Sequence, residues 1–356
     1  MSLDNYGQVN MNLPLGELNA PSMASLEDFP MLPFLGREVK LLLLHERYFQ
    51  PFYRLAQRCD FEGSRDVRLS ARCWSHERST ATLLIVAGRN ESHAKYAEVA
   101  YDFFTRGYDV WIYDHRGQGF SQRELINTQI GWVDSFQNYT NDLSIFYHRV
   151  LLPKIKKNFY ILAHSMGAAI TSFWLSQTQV RPNAVAFTAP MIELILKPYP
   201  RFVVLAMIAA GRRVGRDQSY IPGGTDFNPQ EYGFDLTSSA ARRNWNRKLF
   251  STYPEIRLGS PSYQWLDEAL KVQEKMKVPQ FTAVSNCPLL VWQAGADEVV
   301  KPNAQFYLRN GFENSIFAFE RRSHHELLQE RDEIRARVLF RTLEFFNSAS
   351  SAVGES

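Results

Sequence analysis

The sequence predicts an α/β fold with a mostly parallel central sheet and helices on both of its faces. The first observation is a set of short, continuous apolar runs, such as TLLIVAG (82–88) and DVWIYD (109–114). Runs of this kind are typical of strands that are buried on both faces of a parallel sheet. The second observation is that segments with apolar residues three or four positions apart alternate with these runs, which indicates strand–helix–strand units.

The elements can be assigned in chain order from Val67 onwards. The segment VRLSARCW (67–74) alternates like a half-buried strand. Buried strands follow at 82–88, 109–114 and 184–190, at the start of 288–300, and at 315–320. The segment 159–177 is interpreted as a strand, a sharp turn and a helix. Further helices are expected at 95–107, 136–152 and 326–346.

Two stretches depart from this alternation and define the predicted domains. Residues 1–66 are expected to form an N-terminal extension with a docking helix within 41–58, for which contact with a membrane surface is the alternative. Residues 191–285 are rich in Pro, Gly, Arg and aromatic residues and carry 13 Lys and Arg against 9 Asp and Glu. We therefore assign the core to 67–190 and 286–356 and treat 191–285 as an insertion.

Composition excludes several classes of protein. With 45% hydrophobic and 22% charged residues, the 356-residue chain has the balance of a globular protein. A net charge of +3 is too small to indicate nucleic-acid binding. The odd cysteine count, 3, and the absence of a CxxC pair argue against a disulfide framework and favour a reducing compartment.

The chain is expected in the cytoplasm, with peripheral binding to the inner face of the cytoplasmic membrane left open. The N-terminal residues show no basic segment followed by an apolar one, so a secretory signal is not expected. The longest apolar run, 202–210, is much shorter than the roughly 20 residues that a spanning helix needs.

A serine stands at the predicted strand-to-helix turn in the segment AHSMG (163–167). Such a turn, with small residues two before and two after the serine, is the arrangement that exposes a nucleophile at the edge of a parallel sheet. Gly167 fits this pattern, and Ala163 replaces the usual first glycine. A simple helix N-cap at Ser165 is the alternative interpretation.

The partners of Ser165 can be sought by chain order, since an acid and then a histidine follow the nucleophile in this arrangement. His324 and His325 are the histidines beyond Ser165, and both fall between the last strand and the terminal helix. His325 is preferred as the base. Asp297 ends the preceding strand and is preferred as the acid, with Glu298 as the alternative. The other histidines are expected to be structural (His115 and His164) or to lie at a surface or interface (His45, His76, His93 and His148).

Acyl transfer also needs two donors for the developing oxyanion. The backbone N–H of Met166, directly after the nucleophile, is the first candidate. The second is expected from the loop after strand 82–88, and we assign it to the backbone N–H of Arg89. Gly88 would permit close approach of the loop to a substrate.

Five segments together resemble a known family. These are AGRNESHAKYAEVAYDFFTRGYDVWIYDHRGQGFS (87–121), ILAHSMGAAI (161–170), AFTAPM (186–191), GADEVVKP (295–302) and HHELLQE (324–330). They resemble the monoacylglycerol-lipase-like α/β-hydrolases, and the similarity is strongest to the bacterial lysophospholipases of that group. The resemblance implies a cap at 191–285. It also implies Ser165 as nucleophile, Asp297 as acid, His325 as base, and Arg89 and Met166 as oxyanion donors. The family's loop usually begins with His-Gly, whereas Ala87 stands here in place of the histidine.

The resemblance implies an esterase that works through an acyl-enzyme and needs no metal or cofactor. The expected substrate is a lysophospholipid. A monoacylglycerol lipase or general carboxylesterase is the first alternative, and a serine aminopeptidase or a non-catalytic binding protein is a more distant one. No nucleic-acid partner is expected.

Substrate choice is expected to depend on the cap. Its apolar stretch 202–210 and the aromatic residues Trp245, Phe250, Tyr253 and Trp265 would line an acyl-chain pocket, unless they simply pack the cap. The basic segments GRRVGR (211–216) and RRNWNRK (242–248) would hold a phosphate head group or face an anionic bilayer. A solvated basic face is the alternative for both segments.

Overall fold

A single eight-stranded sheet organises the chain in the computed structural model, which describes Leu26 and residues 29–278, 287–312 and 314–353. The strands are β1 (Gln57–Arg58), β2 (Phe61–Glu62), β3 (Arg68–Leu69), β4 (Ala71–Trp74), β5 (Ala81–Val86), β6 (Tyr108–Tyr113), β7 (Asn158–His164), β8 (Ala184–Thr188), β9 (Leu289–Ala294) and β10 (Ser315–Glu320). The order across the sheet is β1-β4-β6-β5-β7-β8-β9-β10, and β2 pairs with β3 separately. The six strands from β6 to β10 in this order run parallel. The predicted fold class is confirmed.

The α-helices are α1 (Leu41–Leu44), α2 (Gln50–Arg54), α3 (Ala97–Phe104), α4 (Phe136–Ile145), α5 (Met166–Leu175), α6 (Arg201–Arg213), α7 (Ala240–Thr252), α8 (Tyr263–Lys277) and α9 (Asp332–Val353). Helices α3 and α9 share one face of the sheet, where the rings of Phe103 and Phe346 lie 6.3 Å apart. Helices α4 and α5 pack together through Phe136 and Phe173. Because crossovers between parallel strands are right-handed, the reversal of strand order at β5 puts α3 and α5 on opposite faces.

Three predicted elements differ from the structure. The strand predicted at 67–74 is interrupted at Ser70, whose amide donates to the Ser121 hydroxyl at 2.9 Å instead of continuing one ladder. The helix predicted at 136–152 is α-helical only to Ile145 and continues as a π-helical turn. The terminal helix begins at Asp332 rather than at residue 326, because Leu327–Gln329 forms a separate 3₁₀ turn.

The segment before the core is held on the sheet by aromatic residues. Helices α1 and α2 are joined by a π-helical turn, and Phe49 and Phe52 are fully buried. The Phe52 ring stacks on Trp74 of β4 with centroids 5.1 Å apart. Strand β1 pairs with β4, so the sheet extends to residues before the predicted boundary at 67.

Two of the histidines predicted at a surface or interface, His45 and His93, are buried in contact with other segments of the chain. His93 is covered by the N-terminal segment, and its Nδ1 lies 2.8 Å from the hydroxyl of Tyr53 on α2. The ring of His45 stacks on Trp245 of α7 at 3.6 Å. Both are buried because residues far away in the sequence supply the rings that cover them.

The stretch from 191 to 278 forms three helices, α6 to α8, linked by loops. It contacts the carboxyl ends of the parallel strands: the Met191 amide donates to the Ser165 carbonyl, and the Glu326 amide donates to the Leu236 carbonyl. Across the described part of the chain, every helix is too short or too polar to cross a bilayer.

A buried ion cluster ties α7 to the core. Its members come from the N-terminal segment, α3, α7 and α9, and are Arg37, Glu98, Asp102, Arg242, Asp332 and Arg335. Arg242 of α7 donates to both oxygens of Glu98 at 2.9 Å and to Asp332 at 2.8 Å. The basic segment 242–248 therefore begins with a structural residue rather than with a solvated one.

Candidate active site

Ser165 lies at the sharp turn between β7 and α5. Its φ of 51° and ψ of −114° are backbone angles that residues other than glycine rarely adopt. A Cβ atom on Gly167 would lie 2.2 Å from the carbonyl oxygen of Val86 and 2.4 Å from that of Ala87. Only glycine therefore lets α5 start this close to the end of β5, and this start leaves the serine side chain at the sheet edge.

Three side chains from separate loops form a continuous hydrogen-bonded chain. Nε2 of His325 lies 2.8 Å from Oγ of Ser165, and Nδ1 of His325 lies 2.8 Å from Oδ2 of Asp297. His325 and the Asp297 carboxylate are buried, and Ser165 is 7% exposed. This is the geometry in which a histidine can take a proton from a serine while an aspartate orients its ring.

Asp297 is held as a carboxylate. Burial works to raise its pKa, but the His325 ring and the backbone amides of Val300 and Val299 together lower it below the ordinary value. These amides donate to Oδ1 at 3.0 and 2.8 Å, which leaves Oδ2 free to face the histidine. A fixed carboxylate of this kind selects the tautomer with the proton on Nδ1 and leaves Nε2 free to accept.

The alternative residues lie elsewhere. The amide of His324 donates to Glu330 at 2.8 Å, and its Nδ1 is buried without a partner among the described residues. Glu298 is exposed at the surface. Neither residue joins the hydrogen-bonded chain from Ser165.

The loop after β5 contains Gly88 and Arg89. The backbone amide of Arg89 is the predicted second oxyanion donor, and Gly88 directly precedes it. The Glu91 carboxylate accepts from the Gly88 amide, and the Gln118 side chain donates to the Gly88 carbonyl at 2.8 Å. His115 Nε2 lies 2.9 Å from the Ala87 carbonyl. Among the described residues, the amides of Arg89 and Met166 have no hydrogen-bond partner. The loop is thus fixed from both sides although it lacks the family's usual histidine at position 87.

The buried charged network beneath this loop is not predicted by the sequence. Lys95 Nζ donates to Glu91 at 2.7 Å, to Glu326 at 2.7 Å and to the Tyr232 hydroxyl at 2.8 Å. Burial opposes ionisation of Glu91, but Lys95 and His164 outweigh it and lower the pKa of Glu91 to about 2. The network joins the oxyanion loop to the residue next to His325. Its signal in the sequence was the pair Glu91 and Lys95 at i,i+4 spacing.

His164, predicted to be structural, lies next to the predicted nucleophile Ser165 and is buried. Its Nδ1 lies 3.0 Å from the Thr188 carbonyl, and its ring is 4.9 Å from that of His325. Burial lowers the pKa of His164 to about 4, so its ring is neutral at physiological pH. No three His, Cys, Asp or Glu side chains in the described ranges are grouped to hold a metal ion.

The predicted cap residues are spread over several environments. Phe202 is 73% exposed, Trp245 stacks on His45, and Phe250 packs on Phe227 and Tyr232. Trp265 lies below the Arg89 guanidinium, at 5.0 Å from ring centroid to Cζ. Of these aromatic residues, Trp265 is the one in contact with the oxyanion loop.

The sequence matches the protein family described as serine aminopeptidase, S33, over residues 77–332, which is most of the chain. The chain belongs to this family. Its members share the α/β-hydrolase fold, and the sheet order and nucleophile turn described above agree with that membership.

Two curated relatives extend the comparison of this hydrolase. It is 31% identical to lysophospholipase L2 of Escherichia coli (strain K12) over 313 residues, which cover 85% of this chain and 91% of the relative. It is 28% identical to the probable lysophospholipase L2 of Haemophilus influenzae, covering 86% of this chain and 100% of the relative. The predicted resemblance to bacterial lysophospholipases is confirmed, and the relatives indicate a carboxylic ester hydrolase.

A solved structure of similar fold supports the architecture. A soluble variant of monoglyceride lipase from Saccharomyces cerevisiae, solved with a substrate analogue, superposes with a TM-score of 0.65 at 16% identity. The match covers 82% of this hydrolase and 94% of the yeast chain. At this identity the likeness is one of fold.

Proposed function

We propose that this hydrolase is a lysophospholipase that uses Ser165, His325 and Asp297 to cleave the acyl ester. The observation that carries the proposal is the unbroken hydrogen-bonded chain from Ser165 through His325 to Asp297, with 2.8 Å at each step. Ser165 lies at a strained turn typical of nucleophiles in this fold.

The mechanism begins with attack of Ser165 Oγ on the ester carbonyl carbon while Nε2 of His325 takes the hydroxyl proton. Asp297 stabilises the imidazolium that forms and remains ionised. The amides of Met166 and Arg89 donate to the tetrahedral oxyanion, which lowers the barrier because both donors are fixed before the reaction.

The tetrahedral intermediate collapses when His325 returns the proton to the leaving glycerol oxygen. The fatty acid stays on Ser165 as an ester. A water molecule that loses its proton to His325 then attacks this acyl-enzyme, and collapse of the second intermediate frees the fatty acid and restores Ser165. Each proton is thus carried by the same nitrogen, which is why the single contact to Ser165 is sufficient.

The names of the curated relatives, lysophospholipase L2 and probable lysophospholipase L2, favour a lysophospholipid as the substrate. A monoacylglycerol is the second candidate, because a structure of similar fold is a monoglyceride lipase. A peptidase that binds a free amine would need an unpaired acidic anchor near the triad. Glu91 and Glu326, the carboxylates beside this site, are both paired with Lys95, which disfavours that activity.

The test is release of fatty acid from lysophosphatidylethanolamine and from monoacylglycerol with the same acyl chain. We expect faster release from the lysophospholipid and a loss of about 10³-fold or more for Ser165→Ala. Ser176→Ala is the matched control, since its hydroxyl caps the end of α5 by donating to the Phe173 carbonyl. Faster turnover of the monoacylglycerol would replace the proposed substrate class and leave the triad standing.

Covalent labelling tests the nucleophile separately from the substrate. A fluorophosphonate should label the wild-type chain and the Ser176→Ala variant at Ser165, which peptide mass spectrometry would locate. Labelling that survives Ser165→Ala would contradict the proposed nucleophile. A wild-type chain that does not react would favour a non-catalytic binding protein.

We also propose that α6 contacts the lipid surface from which the substrate comes. Its outward side carries Phe202, Val203 and Leu205, which are 73%, 37% and 41% exposed, and the exposed Arg213 lies at its end. Apolar side chains flanked by basic ones suit the interface of an anionic bilayer. The fraction of the protein that sediments with vesicles containing phosphatidylglycerol should fall in the double variant Phe202→Ser with Leu205→Ser. It should not change in Ile126→Ser, which alters an exposed side chain outside α6.

A further inference from the structure

The guanidinium of Arg89 is a largely enclosed cation without an acidic partner. Its Nη2 donates to the Gly259 carbonyl at 2.6 Å, and its Cζ lies 5.0 Å from the centre of the Trp265 ring. Its Nε is buried without a hydrogen-bond partner, and among the described residues no carboxylate lies within ion-pair distance of it. Enclosing a charge without a counter-charge costs free energy, so such a group is expected only where an anion will meet it.

Two neighbouring cations are already neutralised. Lys95 lies between Glu91 and Glu326, and Arg116 donates to Asp142 through Nε at 2.7 Å. Burial lowers the pKa of Arg89 to about 10, so it still carries its proton at neutral pH. Of these three cations, Arg89 is the one whose charge no carboxylate of the described residues balances.

Covalent structure sets the greatest distance that can separate this charge from the Arg89 backbone amide. The backbone N–H of Arg89 is the proposed oxyanion donor, and six bonds separate that nitrogen from Cζ of the guanidinium. In a lysophospholipid, six bonds also separate the carbonyl carbon from phosphorus. Both chains reach about 7 Å when extended, so one residue spans the same length as the glycerol unit of the substrate.

We propose that the Arg89 guanidinium binds the phosphate of a lysophospholipid while its own backbone amide binds the oxyanion. This inference rests on the proposed function and names the residue that would select for a phosphate-bearing substrate. Nη1 has no hydrogen-bond partner among the described residues and, unlike Nε, is not among the buried atoms, so the group retains a donor for a phosphate.

Two of the cap arginines that the sequence suggested for this role are engaged elsewhere. Arg212 pairs with Asp217 and Asp267, and Arg242 lies in the buried ion cluster. Their charges are therefore balanced within the protein, in contrast to that of Arg89.

The absence of a side chain at Gly131 leaves the space that the Arg89 guanidinium occupies. A Cβ on this residue would lie 2.2 Å from Nη2 of Arg89 and 3.1 Å from its Cζ. Gly131→Ala should therefore displace the guanidinium while it leaves the charge and the Arg89 backbone amide in the protein. This gives a second variant that tests position rather than charge.

The experiment compares kcat and KM for decanoyl lysophosphatidylethanolamine and for decanoyl glycerol, both below the concentration at which they aggregate. For Arg89→Gln we expect kcat/KM to fall about 10- to 100-fold for the lysophospholipid, mainly through KM. Because Arg89 also supplies the proposed oxyanion donor, the diagnostic quantity is the ratio of kcat/KM for the lysophospholipid to that for the monoacylglycerol, which should fall at least about 10-fold. Gly131→Ala should give the same selective loss, and Arg89→Lys a smaller one.

Arg149→Gln is the matched control, because this exposed arginine follows α4 at the opposite end of the sheet. It removes the same charge and should leave both substrates unchanged. Thermal unfolding and fluorophosphonate labelling of Arg89→Gln check that the variant folds and that Ser165 stays reactive.

Three other outcomes would each contradict the inference for a different reason. An equal loss for both substrates, or loss of labelling, would mean that Arg89 only positions the loop and the cap. A wild-type preference for the lysophospholipid that Arg89→Gln retains would place the phosphate elsewhere and leave the proposed function intact. A wild-type enzyme that prefers the monoacylglycerol would overturn both the substrate class and the anchor.

Discussion

The backbone at Ser165 shows how individual residues set the chemistry. A φ of 51° costs free energy in a residue with a side chain, and the turn persists because its surroundings hold it. The Ser165 amide donates to the Thr188 carbonyl at 3.0 Å, and its carbonyl accepts from the Met191 amide at 3.1 Å. The strained turn is thus bonded on one side to the last residue of β8 and on the other to Met191, which follows that strand.

Gly167→Ala should damage this turn severely. The added methyl would meet two backbone carbonyl oxygens at 2.2 and 2.4 Å, and neither can move without breaking the sheet. We expect a loss of about 3 kcal/mol in the free energy of unfolding, measured by urea denaturation, together with loss of esterase activity.

Gly107→Ala separates crowding from backbone strain. Gly107 has a φ of +90°, and nothing lies within 4 Å of its Cβ position. This variant should cost about 1 kcal/mol and keep full activity, since only the conformational preference is violated. Equal losses for the two variants would contradict the crowding argument.

Asp297→Asn should lower kcat by about 10³- to 10⁴-fold with little change in KM. The amide keeps the shape of the side chain but cannot stabilise an imidazolium, and it favours the wrong tautomer of His325. Steady-state kinetics with a soluble acyl ester measures this. Glu298→Gln, at an exposed neighbouring position, should retain the wild-type rate, and a similar loss there would point to Glu298 as the acid.

Residues of the candidate site differ in how far the sequence predicted them. Ser165, Asp297 and His325 could be selected because each follows a strand and their chain order is restricted. The environment of the Arg89 side chain could not be predicted, since Gly259 and Trp265 lie in a loop and a helix that had no assigned structure. Lys95 and Glu326 are 231 positions apart, and only the fold brings them together.

At the scale of elements, the helices of the predicted cap are held in different ways. Helix α6 packs on α8 through a small apolar cluster of Val204, Ile208, Tyr263, Leu266 and Leu270. Helix α7 is instead fixed by Arg242, which is 1% exposed and surrounded by carboxylates of α3 and α9. The two helices should therefore respond very differently to substitution.

Arg242→Met should reduce the free energy of unfolding by about 3–5 kcal/mol, because it leaves Glu98 and Asp332 buried with one cation fewer. Arg243→Met, the next residue on the same helix, should cost less than about 1 kcal/mol, since Arg243 stacks on Phe234 near the surface. Urea denaturation compares the two. Similar losses for both would show that the ion cluster contributes little.

The starts of helices α7 and α8 are marked in the sequence by capping serines. Each begins directly after a serine whose side chain accepts from a backbone amide, Ser239 from Arg242 and Ser262 from Trp265. These are the capping positions that mark helix starts. Strand–helix alternation does not reveal these helices, because this region contributes no strand to the sheet.

At the scale of the whole molecule, buried carboxylates make the free energy of unfolding depend on pH. Glu91 and Glu98 are enclosed among cations, and both have pKa values below the ordinary range despite the opposing effect of burial. The unfolded chain therefore binds protons at a higher pH than the folded chain does. Their contribution is complete above a pH of about 4.5 and is lost as the pH falls towards the folded values.

Glu91→Gln should weaken this dependence. With a folded pKa of about 2 against an ordinary 4.5, Glu91 accounts for up to about 3 kcal/mol of the fall in stability across that interval. Urea denaturation between pH 6 and 3 should show a shallower decline for the variant, although it is less stable at pH 6. The exposed Glu46→Gln should follow the wild-type curve, and a parallel Glu91→Gln curve would contradict the assignment.

The buried cluster around Arg242 also sets out where this enzyme can be re-engineered. A library that randomises α7 should yield many chains that fail to fold, since Arg242 of this helix pairs with carboxylates of α3 and α9. Helix α6 packs on α8 and Gly131 lies against Arg89, and neither belongs to that cluster. New substrate ranges should accordingly be recovered from these two regions, and the ion cluster should be left untouched as the constant part of the scaffold.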